Sequence, residues 1–326
     1  MRFRCISAAV ATALCLFFLG GCSRPAGGPE KNRVRFRLDW TPGSEHSFIY
    51  YAIDHGFYSR AGLDVEVVPG EGSSVSAKLV AAGDNDFALC SGDSALLGRT
   101  QGLPIVVVAV LYPRTPASIY SLKQKNIVKP TDLYGKRYGA TYKSTTYQQF
   151  IAFTNAAGLD RSRIQIVPSP GKAEELMAGT IDAQGGYTYL QPVQLEVAGQ
   201  SINEILLADY GVQIYSMSII ANDQTLAKRR ALAAAFVKAT LQGFQQMIAD
   251  PPAAFSSFLK YNRGANKAVE EAKLRKLATF LARDQPPKLG WQTEDGWRKT
   301  QETLLLLKII EKGIDVRRVF TTDLLP

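Results

Sequence analysis

Histidine is scarce in this sequence, and the residue patterns of most enzyme active sites are missing from it. His46 and His55 are the two histidines among 326 residues. They do not form a paired-histidine zinc motif, and neither has the surroundings of a catalytic triad. Gly135 and Lys136 lack the upstream glycine of a phosphate-binding loop, and no nucleophile elbow occurs. We therefore expect no catalytic residue, no metal ion and no cofactor, and the sequence favours a binding protein over an enzyme.

Positive charge is in excess but is not concentrated in one segment. The sequence has 38 lysines and arginines against 29 acidic residues, a net charge of +9. A nucleic-acid-binding surface needs such charge on one face or segment, with aromatic residues interleaved where single strands are bound. The basic residues are spread along the chain, with one cluster at Lys31, Arg33, Arg35 and Arg37. We expect a solvated basic surface and no nucleic-acid partner.

The first 21 residues have the composition of a secretory signal. Arg2 and Arg4 precede an apolar stretch, residues 6–21, and polarity rises directly after it. The stretch is shorter than the roughly 20 residues that span a membrane, so a retained transmembrane anchor is the less favoured alternative. Its end resembles the lipobox of bacterial lipoproteins, with Leu19, Gly20, Gly21 and Cys22. The resemblance implies a signal peptide of residues 1–21, lipidation of Cys22, and export across the cytoplasmic membrane to a lipid-anchored location.

Cysteine is nearly absent once this segment is removed. Of the four cysteines, Cys5 and Cys15 belong to the signal and Cys22 would carry the lipid. Cys90 then stands alone, so neither an intramolecular disulfide nor a cysteine-based zinc site can form. The preceding residues, 87–89, are typical of a buried strand. We expect Cys90 to be a small buried residue at a strand end rather than a reactive thiol.

The remaining sequence alternates between strand and helix patterns twice over. Apolar runs predict strands at 34–38, 65–68, 87–89 and 105–110, and then at 119–122, 138–141, 164–167 and 181–183. Helical stretches separate them; one runs to Ala82 and is capped by Ser73 or Ser74. From Gln224 onward the apolar residues keep the 3.6-residue helical period. This order predicts an α/β fold with parallel sheets.

Several segments, taken in their order and spacing, resemble the thiamine-pyrimidine (THI5/NMT1-like) family of solute-binding proteins. They are residues 38–42, His46, Tyr51 and Ala52, residues 56–58 and 62–65, 72–74, 79–83, 86–87, 132–136, 192–196 and 320–325. The resemblance covers the chain from about residue 34 to residue 326.

The family resemblance implies a bilobed periplasmic-binding-protein fold of type II. Two doubly wound α/β lobes joined by a hinge would close on a small ligand and deliver it to the permease of an ABC importer. Lobe one would comprise residues 34–112 and 216–326, with the C-terminal helices packed on it. Lobe two would comprise residues 113–215, and residues 22–33 would form the lipidated tether.

Residues that follow the predicted strands are the candidates for the ligand site. Doubly wound sheets bind ligands at the carboxyl ends of their strands, and two-lobed proteins bind them in the cleft. Aromatic faces can hold a planar ring, whereas hydroxyls and helix N-terminal amides can hold a polar edge or an anion. The ligand-binding candidates are Trp40, His46, Ser73, Ser74, Ser91, Tyr142, Tyr187 and Gln191. Packing accounts equally well for Tyr189, and a core or capping role is an alternative for His46.

Two departures from the family bear on the ligand. Pyrimidine-binding relatives commonly carry asparagines where this chain has Gly43, Ser44 and Glu45, and a glutamate where Gln191 stands. A carboxylate there would hold an aminopyrimidine by charge-assisted hydrogen bonds, whereas a glutamine can accept one bond and donate others. We predict a small planar heterocycle, a thiamine pyrimidine precursor or similar. A flavin and a small anion such as a sulfonate are the alternatives.

The same superfamily contains a fungal pyrimidine synthase, so an enzyme of this kind is the alternative to a binding protein. The resemblance implies for that enzyme a lysine that carries pyridoxal phosphate after the third strand, a nearby sacrificial histidine and a cysteine-rich segment. Cys90 and Ser94 stand at the first two positions, and residues 213–220 contain no cysteine. The sequence therefore disfavours the enzyme.

Overall fold

The computed structural model describes residues 32–142, 144–283 and 288–326, all within the larger of two compact units, Lys31–Pro326. The predicted signal peptide, Cys22 and nearly all of the predicted tether lie outside the described residues. The strands are β1 (Asn32–Arg37), β2 (Leu63–Val68), β3 (Phe87–Ser91), β4 (Ile105–Val110), β5 (Ala117–Leu122), β6 (Arg137–Ala140), β7 (Gln165–Pro168), β8 (Ala183–Tyr187), β9 (Ile202–Leu206) and β10 (Met217–Asn222).

Helices connect these strands and make up most of the C-terminal third. They are α1 (Ser47–Asp54), α2 (Phe57–Arg60), α3 (Ser73–Ala82), α4 (Gly92–Thr100), α5 (Thr145–Ala156), α6 (Ala173–Met177), α7 (Gln191–Val197), α8 (Asp223–Lys228), α9 (Arg230–Ala249), α10 (Pro251–Tyr261), α11 (Lys267–Arg283) and α12 (Glu294–Leu306). Among the residues that the structure describes, no helix has the length and apolar character needed to cross a membrane.

Two sheets of five strands each organise the described residues. In the first sheet the order is β2-β1-β3-β10-β4, and β1 runs parallel to β2 and β3. In the second sheet the order is β7-β6-β8-β5-β9, and β6 runs parallel to β7 and β8. The prediction of two α/β lobes is confirmed. The prediction of parallel sheets is wrong, because each sheet also contains one strand that is antiparallel to both of its neighbours.

These antiparallel strands are the first ones that the chain forms after it passes from one sheet to the other. β5 follows the crossing from the first sheet and pairs antiparallel with β8 and β9. β10 follows the return and lies antiparallel between β3 and β4. When two parallel strands of one sheet are joined by a helix, the connection is nearly always right-handed. This rule does not apply to a strand that the chain enters from the other sheet, so such a strand can be antiparallel.

The apolar strand β4 lies at the end of the first sheet, although a fully apolar strand is typical of the middle of a parallel sheet. Its free edge is covered by later parts of the chain, since Val107 pairs with Phe320 and Val110 pairs with Gly290. β4 is therefore buried on both faces without being a central strand.

Two segments, 111–116 and 207–216, join the sheets. They lie side by side, because the Tyr112 amide donates to the Met217 carbonyl at 3.0 Å and the Ser216 amide donates to the Tyr112 carbonyl at 3.0 Å. The predicted lobe boundaries at 112/113 and 215/216 fall within these segments and stay a prediction.

Each sheet has a hydrophobic core of its own. Phe236 of α9 packs on Phe36 and Phe87 of the first sheet, with ring centroids 4.9 and 4.1 Å apart. In the other half, Tyr138 and Phe150 stack at 3.8 Å. Cys90 is buried and unpaired, as predicted. The described residues thus form separate hydrophobic clusters on the two sheets.

Candidate ligand-binding site

A cavity of about 300 Å³ lies where the two halves of the chain meet. The lobe that contains the first sheet contributes residues at or near the ends of its strands and helices: Asp39, Ser73, Ser74, Ser91, Ser94 and Met217. The lobe that contains the second sheet contributes Pro116, Thr145, Tyr187 and Tyr189. Most of these positions adjoin the ends of β1, β3 and β8 or the N-termini of α3 and α5, where doubly wound sheets bind ligands. Four of the predicted residues, Ser73, Ser74, Ser91 and Tyr187, are therefore brought together.

Three tyrosines form an aromatic wall of this cavity. The rings of Tyr187 and Tyr189 are nearly parallel, with centroids 6.3 Å apart, and Tyr112 meets Tyr189 edge to face at 6.4 Å. Burial, with the nearby charges of Asp93 and Asp39, raises the pKa of Tyr187. Its phenol is therefore neutral at physiological pH. The wall offers ring faces to a planar molecule and phenol groups as hydrogen-bond donors.

Tyr112 differs from its neighbours because its hydroxyl is buried without a hydrogen-bond partner among the described residues. A buried polar group without a partner is costly. Tyr112 lines the cavity, but its hydroxyl has almost no accessible surface and is closed off from the cavity.

Asp39 is a carboxylate of the cavity wall that follows β1, and it is held by His46. Its Oδ1 accepts a hydrogen bond from Nε2 of His46 at 2.9 Å, while Nδ1 of His46 accepts from the Gly43 amide at 3.1 Å. Burial alone would lower the pKa of His46, but the bond to Asp39 and the charges of Glu45, Asp39 and Glu270 raise it overall. His46 is completely buried. It lies behind Asp39 and outside the cavity lining.

The turn that contains His46 also carries a buried carboxyl group. Glu45 is buried, and its Oε2 has no hydrogen-bond partner among the described residues. Burial raises the pKa of Glu45, although the neighbouring His46 opposes this effect. The Ser44 amide donates to Glu270 of α11 at 2.8 Å. The turn is thereby fastened to a C-terminal helix.

The two serines at the start of α3 have different roles. The predicted capping by Ser73 or Ser74 is wrong, because the N-cap residue is Gly72 and the helix already begins at Ser73. The Ser73 hydroxyl instead accepts a hydrogen bond from the Ser91 amide at 3.0 Å and joins α3 to β3. The Ser74 side chain has no partner among the described residues and lines the cavity.

A glycine-containing turn holds the backbone at Asp39. The Gly70 amide donates to the Trp40 carbonyl at 2.9 Å, and the Gly72 amide donates to the Asp39 carbonyl at 2.7 Å. A Cβ atom at Gly70 would overlap the Leu38 carbonyl oxygen, so this close approach requires glycine. Between the two glycines, Glu71 lines the cavity and pairs with Arg37 at 3.4 Å.

Four predicted residues, Trp40, His46, Tyr142 and Gln191, do not belong to the described cavity lining. Trp40 is 58% exposed beside Gly72, and Tyr142 is 48% exposed and meets Tyr147 edge to face at 5.1 Å. The Gln191 side-chain oxygen accepts a hydrogen bond from the Tyr187 amide at 3.2 Å. Gln191 therefore supports a tyrosine of the wall. Contact of these residues with a ligand stays a prediction.

Sequence reasoning missed Asp39, Tyr112 and Thr145. Asp39 directly follows β1, so the strand-end rule that selected Trp40 also pointed to Asp39. Tyr112 was expected only as the last residue before the first lobe boundary, and nothing in the sequence shows that its hydroxyl lacks a partner. Thr145 lies in the predicted helical stretch between strands 138–141 and 164–167, without an indication that this helix begins at the cavity.

The charge of the cavity wall is negative. None of the described lining residues is a lysine or arginine, whereas Asp39 and Glu71 both belong to the wall. Within the described ranges, no group of three or more histidine, cysteine or acidic side chains is arranged to hold a metal ion. Carboxylates, phenols and hydroxyls together suit a neutral or cationic molecule with hydrogen-bond donors.

The chain is similar in sequence to a known protein family and to proteins of known function. The NMT1/THI5 like family model matches residues 43–254. A formylaminopyrimidine-binding protein of Halalkalibacterium halodurans is 26% identical over 300 residues, which cover 89% of this chain and 90% of that protein. The riboflavin-binding protein RibY of Chloroflexus aurantiacus is 24% identical over 311 residues, 93% of this chain and 88% of that protein.

Enzymes and a distant solved structure are similar as well. A 4-amino-5-hydroxymethyl-2-methylpyrimidine phosphate synthase of Legionella pneumophila is 23% identical over 303 residues, 91% of this chain and 93% of that protein. The periplasmic aliphatic sulphonate binding protein SsuA of Escherichia coli superposes with a TM-score of 0.69 at 15% identity, covering 89% of this chain and 97% of that chain. The predicted bilobed periplasmic-binding-protein fold is confirmed.

Proposed function

The chain belongs to the NMT1/THI5-like family, and from this premise we propose that it is an extracytoplasmic solute-binding lipoprotein that captures a small planar nitrogen heterocycle between its two lobes. A thiamine pyrimidine precursor or a similar ring is the proposed ligand. The protein hands this ligand to the permease of an ABC importer, and a lipid on Cys22 keeps it at the membrane.

The pairing of Asp39 with the aromatic wall carries this proposal. One oxygen of Asp39 is occupied by His46, and the side chain keeps 23% of its surface exposed. The second oxygen can accept a hydrogen bond from an amino group or ring N–H of the ligand. Tyr187 and Tyr189 offer ring faces at the same cavity. A nitrogen heterocycle presents both the flat face and the polar edge that this site matches.

A small anion such as a sulfonate is less well matched. The N-terminus of α3, with Ser73 and Ser74, is at the cavity and would favour an anion. The Asp39 carboxylate opposes it, and no lysine or arginine of the described lining would compensate, whereas the charge of Glu71 is paired with Arg37. The balance of charge therefore favours the heterocycle.

We also propose that the chain has no synthase activity, although synthases are among its relatives. Cys90, at the position of the cofactor-bearing lysine implied by the resemblance, is buried, and burial raises the pKa of its thiol well above the ordinary value. A thiol has no nitrogen and therefore cannot form the imine through which a lysine holds pyridoxal phosphate.

Identification of the native ligand tests the proposal. Freshly purified protein is extracted under denaturing conditions, and the released small molecule is identified by mass spectrometry. In parallel, calorimetry measures binding of a three-ligand panel: an aminopyrimidine, riboflavin and an alkanesulfonate. We expect a heterocycle in the extract and heterocycle binding that Asp39→Asn weakens about tenfold or more.

Asp64→Asn is the matched control, since Asp64 is an exposed carboxylate of β2 outside the cavity. It should leave the affinity unchanged. A sulfonate in the extract, together with sulfonate binding that Asp39→Asn strengthens, would overturn the heterocycle proposal.

A further inference from the structure

A second cavity adjoins the proposed ligand cavity. It has a volume of about 350 Å³. Ser74, Ser94 and Thr145 line both cavities. Since three residues form a shared boundary, the two spaces are parts of one cleft between the halves of the chain. The first cavity alone, at about 300 Å³, is at the lower limit for a small-molecule site.

The second cavity has a different chemical character from the first. The described residues that line it include no aromatic side chain. Gln148 and Thr145 of α5 and Ser94 of α4 supply amide and hydroxyl groups, whereas Leu97, Ile214 and Leu304 supply aliphatic surface. The side chain of Gln148 is half-buried and has no hydrogen-bond partner among the described residues. Such a lining matches a chain of CH–OH groups, whose carbons contact the aliphatic surface while its hydroxyls pair with Gln148, Ser94 and Thr145.

A lysine with an unusual backbone conformation also lines the second cavity. Lys308 follows α12 with φ at 56°, in the left-handed region. Its amide donates to the Leu305 carbonyl, and the Ile309 amide donates to the Leu304 carbonyl. Glycine is usual at this place after a helix because it has no Cβ. Lys308 forms no ion pair with a carboxylate of the described chain, and its ammonium is available to a polar chain end.

We infer that the ligand has two parts, a planar heterocycle in the first cavity and a polyhydroxylated chain in the second. This inference rests on the proposed function, since it places a heterocycle against Tyr187 and Tyr189. A purely aliphatic chain would leave the amide of Gln148 unpaired on binding. A second flat ring would find no aromatic face in the second cavity. A hydroxylated chain fits both its polar and its aliphatic surface.

Matched ligand pairs test the inference by isothermal calorimetry. Lumichrome and riboflavin share a flat ring system, and riboflavin adds the polyhydroxylated chain; cytosine and cytidine form a second pair, in which cytidine adds a sugar. We expect the chain-bearing member of at least one pair to bind the wild type about tenfold more tightly than its partner, which corresponds to one or two net hydrogen bonds.

Two variants locate this preference in the second cavity. Gln148→Leu removes the amide at nearly constant volume, and Gln148→Trp fills the space. Both should reduce the preference for the chain-bearing member and leave binding of the bare ring unchanged. Gln245→Trp is the control, because Gln245 is exposed on α9 and lines neither cavity. Thermal melting shows that each variant is folded.

The possible results separate the inference from the proposed function. Equal binding of both members of each pair, or a bare ring in the mass-spectrometric extract, would overturn the inference and leave the proposed function intact. A preference that survives in Gln148→Trp would also overturn it, since the chain would then lie elsewhere. Absence of binding by all four probes, with no heterocycle in the extract, would overturn both.

Discussion

Nε2 of His46 lies 2.9 Å from Oδ1 of Asp39, and this hydrogen bond joins a fully buried imidazole to a carboxylate in the cavity wall. The Gly43 amide donates to the other ring nitrogen. With both nitrogens engaged, the imidazole fixes the orientation of the Asp39 side chain. His46 therefore acts on the ligand through Asp39, as a positioning residue.

Substitution of His46 should weaken ligand binding without removing a ligand contact. In His46→Leu, Asp39 loses its partner, and we expect the affinity for the best ligand of the panel to fall about tenfold. In His46→Gln, the amide can still donate to Asp39 and accept from Gly43, so a larger part of the affinity should remain. Calorimetry measures both. His55→Gln, at an exposed histidine outside the cavity lining, is the control, and unchanged affinity in His46→Leu would contradict the positioning role.

The buried carboxyl group of Glu45 should make the stability of the protein pH-dependent. Burial raises the pKa of Glu45 above its ordinary value of 4.5, so the folded state keeps a proton that the unfolded state releases. The contribution of Glu45 to stability is therefore full below pH 4.5 and is lost as the pH rises through the folded-state pKa of Glu45. In Glu45→Gln, the amide that replaces the carboxyl group cannot ionise. The melting temperature of this variant should exceed that of the wild type by a few degrees at pH 7 and approach it at pH 4.

Differential scanning calorimetry between pH 4 and pH 8 measures this difference. Glu302→Gln is the control, because Glu302 is an exposed glutamate of α12 and should show no pH-dependent gain. A Glu45→Gln variant that is less stable than the wild type at pH 7 would show that the ionised carboxylate stabilises the fold.

Elements whose ends carry local signals were predictable from the sequence. The end of the helix at Ala82 was predicted correctly, because Gly83 follows it in the left-handed conformation, whereas its start at Ser73 was predicted one or two residues too late. The buried strand Ile105–Val110 was likewise predicted from its apolar run. The strands Ile202–Leu206 and Met217–Asn222 were missed. Both flank the crossing between the sheets, and a short pattern does not show which sheet a strand joins.

Within the candidate site, too, some residues could be predicted from local sequence and others depend on long-range contacts. Ser73, Ser74, Ser91 and Tyr187 follow from the rule that ligands bind near strand ends, and this rule needs local sequence only. The role of Tyr112 depends on how two distant segments meet, since its backbone pairs with Ser216 and Met217. Such a long-range relationship, and the unpartnered hydroxyl that results, has no local signature.

The contact between α1 and α9 leaves no room for a side chain at Gly243. A Cβ atom there would overlap the carbonyl oxygen of Phe48. Alanine favours a helix over glycine by about 1 kcal/mol, yet we expect Gly243→Ala to lower the free energy of unfolding by about 1–3 kcal/mol because the helices must separate. Urea denaturation measures the change. Gly264→Ala, at an open position without a left-handed φ, should change stability by less than about 0.5 kcal/mol.

The lipid anchor is tested at Cys22, which lies outside the described residues. Cys22→Ser removes the thiol that would carry the lipid, and the protein should pass from the membrane fraction to the soluble fraction of fractionated cells. Cys15→Ser is the matched control, because Cys15 lacks the small residues that precede Cys22, and it should stay with the membrane. Unchanged membrane association of Cys22→Ser would contradict the lipoprotein proposal.

Two buried tyrosines give opposite expectations for removal of a single hydroxyl. The Tyr112 hydroxyl is buried without a partner among the described residues, although other atoms of Tyr112 line the cavity. In Tyr112→Phe the ligand-free protein should be as stable as the wild type or more stable, since an unpaired polar group is removed. Its affinity for the best ligand of the panel should change by less than about twofold, because the hydroxyl is closed off from the cavity.

Tyr58→Phe is the matched control for this prediction. The Tyr58 hydroxyl is also buried, but it pairs with the Thr240 hydroxyl at 2.9 Å in the core and lines none of the cavity. Its loss should lower the free energy of unfolding by about 0.5–1.5 kcal/mol and leave the affinity unchanged. Thermal melting without ligand and calorimetry with ligand separate the two effects. A Tyr112→Phe protein that loses stability, or that loses affinity about tenfold, would contradict this prediction, since the hydroxyl would then have a partner in the core or in the ligand.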